Sequence, residues 1–188
     1  MPLTKLICPE SGDTSSASRA SLDALLPEAY SELKSLARVC LSRERPDHSL
    51  QTTALVHEAF LRLAAHDRMA WQGRTHCVAV AAMAMRRILV EDARARACAK
   101  REGGRLRVSL TGLDASRDGG IDLLELEEGL VALAAHDARK CRVVELRFFA
   151  GLAGQEIAEV LGLTTRTVER DWRYARAWLY RYLSGEKQ

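Results

Sequence analysis

A segment near the carboxyl end, residues 154–176, constrains the fold of this chain more than any other. Its first half has apolar side chains at the i, i+3, i+4 spacing of one helix face, at Ile157, Val160 and Leu161. Gly162 suits the left-handed position that follows a helix, and Thr164 can cap the helix after it. The segment therefore predicts two helices joined by a tight turn, which is a helix-turn-helix.

The second helix of this motif is predicted to have a buried side and a polar side. Its apolar stripe consists of Val168, Trp172, Ala175 and Leu179, with Glu169 predicted to face outward among the polar residues. Polar side chains in the first turns of such a helix can reach base edges in the major groove. We expect DNA contacts from Thr164, Thr165, Arg166, Thr167, Arg170 and Arg173. The same spacing also fits a helical hairpin whose arginines only solvate a surface.

Charge is distributed unevenly along the chain, although the net charge is only +3. Basic side chains outnumber acidic ones between residues 86 and 107, and acidic side chains dominate between residues 114 and 137. A basic strip attracts phosphate, whereas an acidic stretch repels it. We therefore expect the first stretch to approach nucleic acid and the second to avoid it.

The cysteines and the hydropathy pattern predict an intracellular protein. The five cysteines are widely spaced and form no C-x-x-C pair, so neither a disulfide framework nor a zinc site is predicted. His57 and His76 lie on separate predicted helices without a partner at ligand spacing, so we expect no metal and no cofactor. No apolar run is long enough to cross a bilayer or to serve as a signal peptide, which predicts a cytoplasmic protein without membrane contact.

The apolar periods predict an all-α fold of two small helical bundles joined by a flexible linker. Residues 1–20 are serine-rich without an apolar period and are predicted to form a flexible tail. Residues 21–102 are predicted to form the first bundle, and the glycine-rich residues 103–121 the linker. Residues 122–188 are predicted to form a second bundle of four helices that ends in the helix-turn-helix.

Within these bundles, particular helices can be placed. A helix over residues 52–65 has one apolar face, and a long helix over residues 75–100 is apolar nearly all round in its first half. A helix of that kind must be central to its bundle. In the second bundle, Asp122 and Asp137 are each suited to cap the helix that follows.

Six short segments of the sequence, taken in order along the chain, resemble a bacterial sigma factor of the extracytoplasmic-function (ECF) type, in the sigma-70 family. The segments are residues 53–63, 81–90, 93–96, 142–149, 156–162 and 167–179. The first is similar to the family's polymerase-binding helix, the next two to its promoter-melting helix, and the last three to its DNA-binding domain. The resemblance spans roughly residues 22–183, nearly the whole chain.

The resemblance implies a transcription initiation factor without catalytic activity. Such a factor binds the β′ and β subunits of core RNA polymerase, directs the enzyme to minus-10 and minus-35 promoter elements, and assists melting. Promoter DNA is the second implied partner, and an anti-sigma factor or another recruiting protein is a third possibility. The free chain is expected to be a monomer.

The resemblance also implies site residues by position. The minus-10 contacts are expected at Trp71, Arg74, His76, Arg86, Arg87, Arg94 and Arg96, and the polymerase contacts at Leu55, His57, Glu58, Leu61 and Arg62. Trp71 fits a core position under its loop equally well. Cys77 and Val78 stand where relatives usually carry aromatic residues, so the stacking of a base there departs from the family pattern.

Two other function classes fit the sequence less well. A stand-alone helix-turn-helix regulator would use only the carboxyl-terminal motif and would have no need of the basic helix. An enzyme that modifies nucleic acid, such as a deaminase or nuclease, would need paired carboxylates or Cys/His ligands in a plausible arrangement, which the sequence lacks.

Overall fold

The computed structural model of the chain describes residues 24, 27, 29–38, 41, 52–65, 71–99, 107–108 and 121–185. The predicted tail, most of the predicted linker and part of the loop before Trp71 lie outside these residues. Seven helical stretches are described: α1 (29–38), α2 (Thr52–Ala64), α3 (Arg74–Ala99), α4 (Leu123–His136), α5 (Ala138–Phe148), α6 (Gly154–Leu161) and α7 (Thr165–Leu183). The all-α prediction is confirmed.

The long helix α3 is the centre of the first bundle, as its composition predicted. Its first half is buried on nearly every side, at Cys77, Val78, Ala79, Ala81, Ala82, Met83 and Met85. The apolar face of α2 packs on it through Leu55, Ala59 and Leu63. Because no side of this part of α3 is polar, both neighbouring helices and the second bundle can pack around it.

The helices of the second bundle begin where their caps predicted. The Asp122 carboxylate accepts a 2.8 Å hydrogen bond from the Leu124 amide at the start of α4. The Asp137 carboxylate accepts a 3.0 Å hydrogen bond from the Lys140 amide at the start of α5. Each cap satisfies an amide that has no partner within its own helix.

The described residues also include one short, two-stranded antiparallel ladder. Strand β1 (Arg107–Val108) pairs with β2 (Ile121–Asp122), with Arg107 opposite Asp122. Both strands lie within or next to residues 103–121, which the sequence predicted to be a linker. The ladder places residues 107–108, near the beginning of the predicted linker, beside residues 121–122 at the start of α4.

The two bundles also contact each other directly, which the sequence did not predict. Helix α3 packs against α4, α5 and α6, and its Arg86 side chain inserts between them. The turn after α5 approaches α1, because a Cβ atom built on Gly151 would lie 3.1 Å from Leu36 Cδ2. The bundles are therefore joined by packing as well as by the chain between them. None of the described helices is both long and apolar enough to cross a bilayer.

Candidate nucleic-acid interface

The turn between α6 and α7 has the geometry that its sequence predicted. Gly162 adopts a left-handed conformation with φ +63°, and the Leu163 amide donates a 2.9 Å hydrogen bond to the Ala158 carbonyl. Thr164 caps α7, because its hydroxyl accepts a 3.2 Å hydrogen bond from the Thr167 amide. The turn is therefore closed at both ends by local hydrogen bonds, and it fixes the direction in which α7 leaves.

Helix α7 presents one apolar and one basic side. Its buried stripe consists of Val168, Asp171, Trp172, Ala175, Leu179 and Leu183. The predicted DNA-contacting residues at its start are exposed, except Thr167, which is half-buried. Arg170 is the most open of the paired arginines, with 67% of its side chain exposed. The arginines predicted to read DNA therefore share a solvent-facing edge.

Two ion pairs fix α7 against α5. Arg139 Nε donates a 2.7 Å hydrogen bond to the Asp171 carboxylate, which is buried. Arg147 donates a 2.8 Å hydrogen bond to Glu169 Oε1, and its guanidinium lies 4.8 Å from the centre of the Trp172 ring. Glu169, which was predicted to face outward, keeps 42% of its side chain exposed while it pairs with Arg147.

A second basic surface lies on α3. Arg87 and Arg94 are exposed and form no ion pair with any residue in the described ranges. They are seven residues apart, so they lie on one face of the helix, about 10 Å apart along its axis. Arg96 is half-buried and donates a 2.5 Å hydrogen bond to Asp92 one turn earlier. Arg74 pairs with Glu32 of α1.

Two residues expected at the minus-10 surface are buried instead. His76 is 3% exposed, its Nδ1 accepts a hydrogen bond from the Gln72 amide, and the half-buried Trp71 ring packs edge-on against it. Arg86 is 6% exposed and bonded to acidic side chains of the second bundle. In this conformation neither side chain reaches a surface that DNA could touch, which corrects the expectation for both.

The face of α2 expected to bind polymerase is partly open. Leu61 is 51% exposed, whereas Leu55 is fully buried and therefore belongs to the core rather than to the docking face. Arg62 joins Glu58 at 3.1 Å and Glu91 of α3 at 2.8 Å. These hydrogen bonds, that of Glu91 first, raise the pKa of the Arg62 guanidinium. A groove of about 380 Å³ beside α2 is lined by Tyr30, Thr53, Ala54, Val56, His57 and Phe60.

Sequence reasoning missed the buried charges, although a signal for them was present. Arg86 falls on the stripe of buried positions in α3 that includes Ala79, Ala82, Leu89 and Ala93. Asp171 likewise lies three residues after Val168 on the buried stripe of α7. A charged residue on an apolar stripe requires a buried partner of opposite charge. The positions of Arg86 and Asp171 on these stripes therefore predict that each has a buried partner, but they do not identify that partner.

The fold and this interface define a helical DNA-binding protein with a helix-turn-helix at its carboxyl end. The model of the ECF sigma factor family matches residues 4–185, and the chain belongs to that family. It is therefore a promoter-specific transcription initiation factor that works with RNA polymerase and binds promoter DNA, rather than an enzyme. No curated protein and no solved structure matches the chain significantly.

Proposed function

We propose that this factor reads the minus-35 element with the start of α7 and the minus-10 element with α3, while α2 anchors it to core RNA polymerase. The single observation that carries the proposal is the exposed basic edge of α7, on a helix that two ion pairs hold against α5. A recognition helix must enter the major groove with its base-reading side chains free and its orientation set.

The α7 edge meets both conditions. Arg166, Arg170 and Arg173 are exposed, and the pairs Arg139–Asp171 and Arg147–Glu169 hold the opposite side of the helix. Arg170 is the proposed base contact, because 67% of its side chain is exposed near the start of the helix. Arg173 is the proposed phosphate contact. Thr164, Thr165 and Thr167 stand at the helix start, where amides and hydroxyls commonly bind backbone phosphate.

The α3 surface suits a single strand. Arg87 and Arg94 supply two cationic side chains along one line, and an unpaired strand is held by such charges on its phosphates together with aromatic surfaces for its bases. Trp71 is the aromatic residue just before the start of this helix, and it is half-buried. We therefore assign strand binding to the arginines first and base contact to Trp71 second.

The docking face for polymerase is the exposed part of α2. Leu61 is a large apolar side chain left in solvent, and it is followed directly by the paired Arg62. An apolar anchor surrounded by charged side chains is a common composition for a protein interface. The β′ and β subunits are the proposed partners. The free chain is proposed to be a cytoplasmic monomer, and an anti-sigma factor or other recruiting protein stays a prediction.

Footprinting of a cognate promoter with the chain alone, core polymerase alone and both together tests the proposal. We expect protection of both elements only with both proteins present, because docking fixes the separation of the two readers and raises their effective concentration. The double variant Arg170→Ala with Arg173→Ala should lose the upstream protection, while Arg176→Ala, an exposed arginine further along α7, serves as the matched control.

Strong protection by the chain alone would instead identify a stand-alone regulator. Loss of upstream protection with the Arg176 control as well would show that net charge, rather than the edge of α7, sets the binding. A pull-down of core polymerase with the tagged full chain tests the polymerase partner independently of any promoter.

A further inference from the structure

We propose that a buried ion cluster between the two bundles holds the free chain closed, and that the chain must open to engage a promoter on polymerase. The cluster consists of Arg86 of the first bundle with Glu127, Arg142 and Glu145 of the second. The part of this inference that concerns promoters rests on the proposed function. The closure itself follows from the contacts.

Arg86 extends from α3 into the second bundle. Its two terminal nitrogens donate to different carboxylates, Nη2 to Glu127 of α4 and Nη1 to Glu145 of α5. Its guanidinium lies 5.2 Å from the centre of the Phe149 ring at the end of α5. Only 7% of the Arg86 side chain and 4% of the Glu145 side chain are exposed. One arginine therefore ties α3 to two helices of the other bundle.

The cluster is balanced in charge. Arg142 Nη1 donates a 2.8 Å hydrogen bond to the second oxygen of Glu145, so two arginines neutralise two glutamates. A buried pair of this kind gains little net free energy over an apolar contact, because the lost hydration of its charges offsets their attraction. Removal of one partner is costly while the bundles stay packed, because the other charge is then buried without compensation. When the bundles separate intact, the hydration of Arg86 and Glu127 is restored. The contact thus suits a reversible latch that specifies one closed arrangement.

The closed arrangement cannot serve both promoter elements at once. Elements centred 25 base pairs apart are separated by about 85 Å along B-form DNA, at roughly 34–36 Å per turn. A compact body of this chain length has a radius of gyration of about 16 Å. Helices α3 and α7 of one closed chain therefore cannot reach both elements, and Arg86 is hidden from DNA as well.

Polymerase is the partner that would favour the open form. A ligand shifts a conformational equilibrium only through a difference in its affinity for the two states. Core polymerase, by docking each bundle at its own place, would bind the open form more tightly than the closed one. Opening would then expose Arg86 on the same helix as Arg87 and Arg94.

Small-angle scattering of the full chain tests the latch without polymerase. The double variant Glu127→Gln with Glu145→Gln keeps the shapes of the side chains and removes both negative charges. We expect its radius of gyration to rise from the wild-type value, about 16 Å for a closed body, toward about 23 Å, the value for two bundles of about 12 Å each with centres about 40 Å apart. Glu128→Gln, the exposed neighbour on α4, makes the same chemical change outside the cluster and should not expand the chain.

A second measurement uses the native cluster, in case the double variant loses its helical circular dichroism. Fluorophores at the exposed Cys98 and at Ala177→Cys report the distance between α3 and α7, with Cys8 and Cys40 replaced by serine. Addition of core polymerase should lower the energy transfer. Three results would overturn the latch. The first is unchanged energy transfer in a complex with core that does form. The others are a folded double variant with the wild-type radius of gyration, and a Glu128→Gln control that expands as much as the double variant. If the double variant expands but the wild-type chain does not bind core polymerase, the latch is supported and only the proposed function is rejected.

Discussion

Arg139 and Asp171 form an ion pair between the first turn of α5 and the recognition helix, with Arg139 Nε 2.7 Å from Asp171 Oδ2. The arginine side chain is 47% exposed, whereas the aspartate is 1% exposed. The pair therefore connects a solvent-facing donor to a charge inside the bundle. It sets the position of α7 directly beside Arg170, whose Nε lies 3.6 Å from the other Asp171 oxygen.

Removal of Arg139 should destabilise the chain. Arg139→Ala removes the 2.7 Å hydrogen bond to the buried Asp171 carboxylate and leaves the weaker 3.6 Å contact with Arg170. A buried acceptor that loses its hydrogen bond costs about 1–3 kcal/mol. Urea unfolding, followed by circular dichroism, measures the change. Arg176→Ala, an exposed arginine of α7, should change the unfolding free energy by less than about 0.5 kcal/mol. Equal stabilities of the two variants would contradict the role of the pair.

The cap at Asp137 should contribute stability that depends on pH. Hydrogen bonds from the Lys140 side chain and then from the Lys140 amide lower the pKa of the Asp137 carboxyl. A lowered pKa in the folded state means that the stabilisation is complete above the unfolded value, about 3.9, and is lost as the pH falls through the folded value. Asp137→Ala should cost about 1 kcal/mol at pH 7.

The comparison of Asp137→Ala with Asp137→Asn separates the cap from the charge. Asparagine can still accept the amide hydrogen bond, so it should retain most of the stability at pH 7. The difference between wild type and Asp137→Asn should shrink as the pH falls below about 4. Denaturant midpoints at pH 7 and pH 3 test this, and a constant difference would refute the assignment to the carboxylate.

The two arginines at the edge of α7 should affect promoter binding differently. Arg170→Ala is expected to relax the preference at one or two base pairs of the upstream element, since a base contact contributes about 1–3 kcal/mol of discrimination. Arg173→Ala should weaken all sequences alike, as the loss of a phosphate contact does. Binding of the holoenzyme to a set of single-base promoter variants distinguishes them. A uniform loss of affinity for both variants would show that these roles are misassigned.

The exposed leucine of α2 should contribute to polymerase affinity but not to folding. Leu61→Asp places a charge at the proposed apolar anchor, and we expect at least a tenfold weaker affinity for core, the effect of about 1.4 kcal/mol. Because Leu61 is 51% exposed, the circular dichroism and unfolding midpoint of the Leu61→Asp variant should remain close to those of wild type. Ala65→Asp, exposed at the end of the same helix, is the control. Unchanged affinity of Leu61→Asp would move the docking face elsewhere.

The buried cysteines should be inert toward thiol reagents. Burial raises the pKa of the Cys77 thiol to about 11 and that of the Cys141 thiol to about 12, whereas Cys98 is exposed. The thiolate is the reactive form, and at pH 8 only about one thiol in a thousand is ionised at a pKa of about 11. In a chain with Cys8 and Cys40 replaced by serine, one thiol should titrate rapidly in the native state and three after unfolding. Rapid reaction of Cys77 or Cys141 would argue for a redox role.

The sequence by itself determined the features that depend on near neighbours. Each predicted helix cap, at Asp122, Asp137 or Thr164, bonds to an amide two or three residues further along the chain. The left-handed conformation of Gly162 is a local property of the backbone as well. The helix faces followed from the 3.6-residue period, and the family followed from short segments that are also local. Assignment of site residues to particular DNA and polymerase contacts stays a prediction.

Only the tertiary structure decided where the charged side chains on those helices lie. Arg86 bonds to residues 41 and 59 positions further along the chain, and no local pattern identifies such partners. The same holds for Arg139 with Asp171, which are 32 positions apart. Helical period predicts which face is buried, but a charge is stable on that face only when packing brings an opposite charge to it. Packing of the two bundles therefore determines that Arg86 is buried in a latch rather than exposed to DNA.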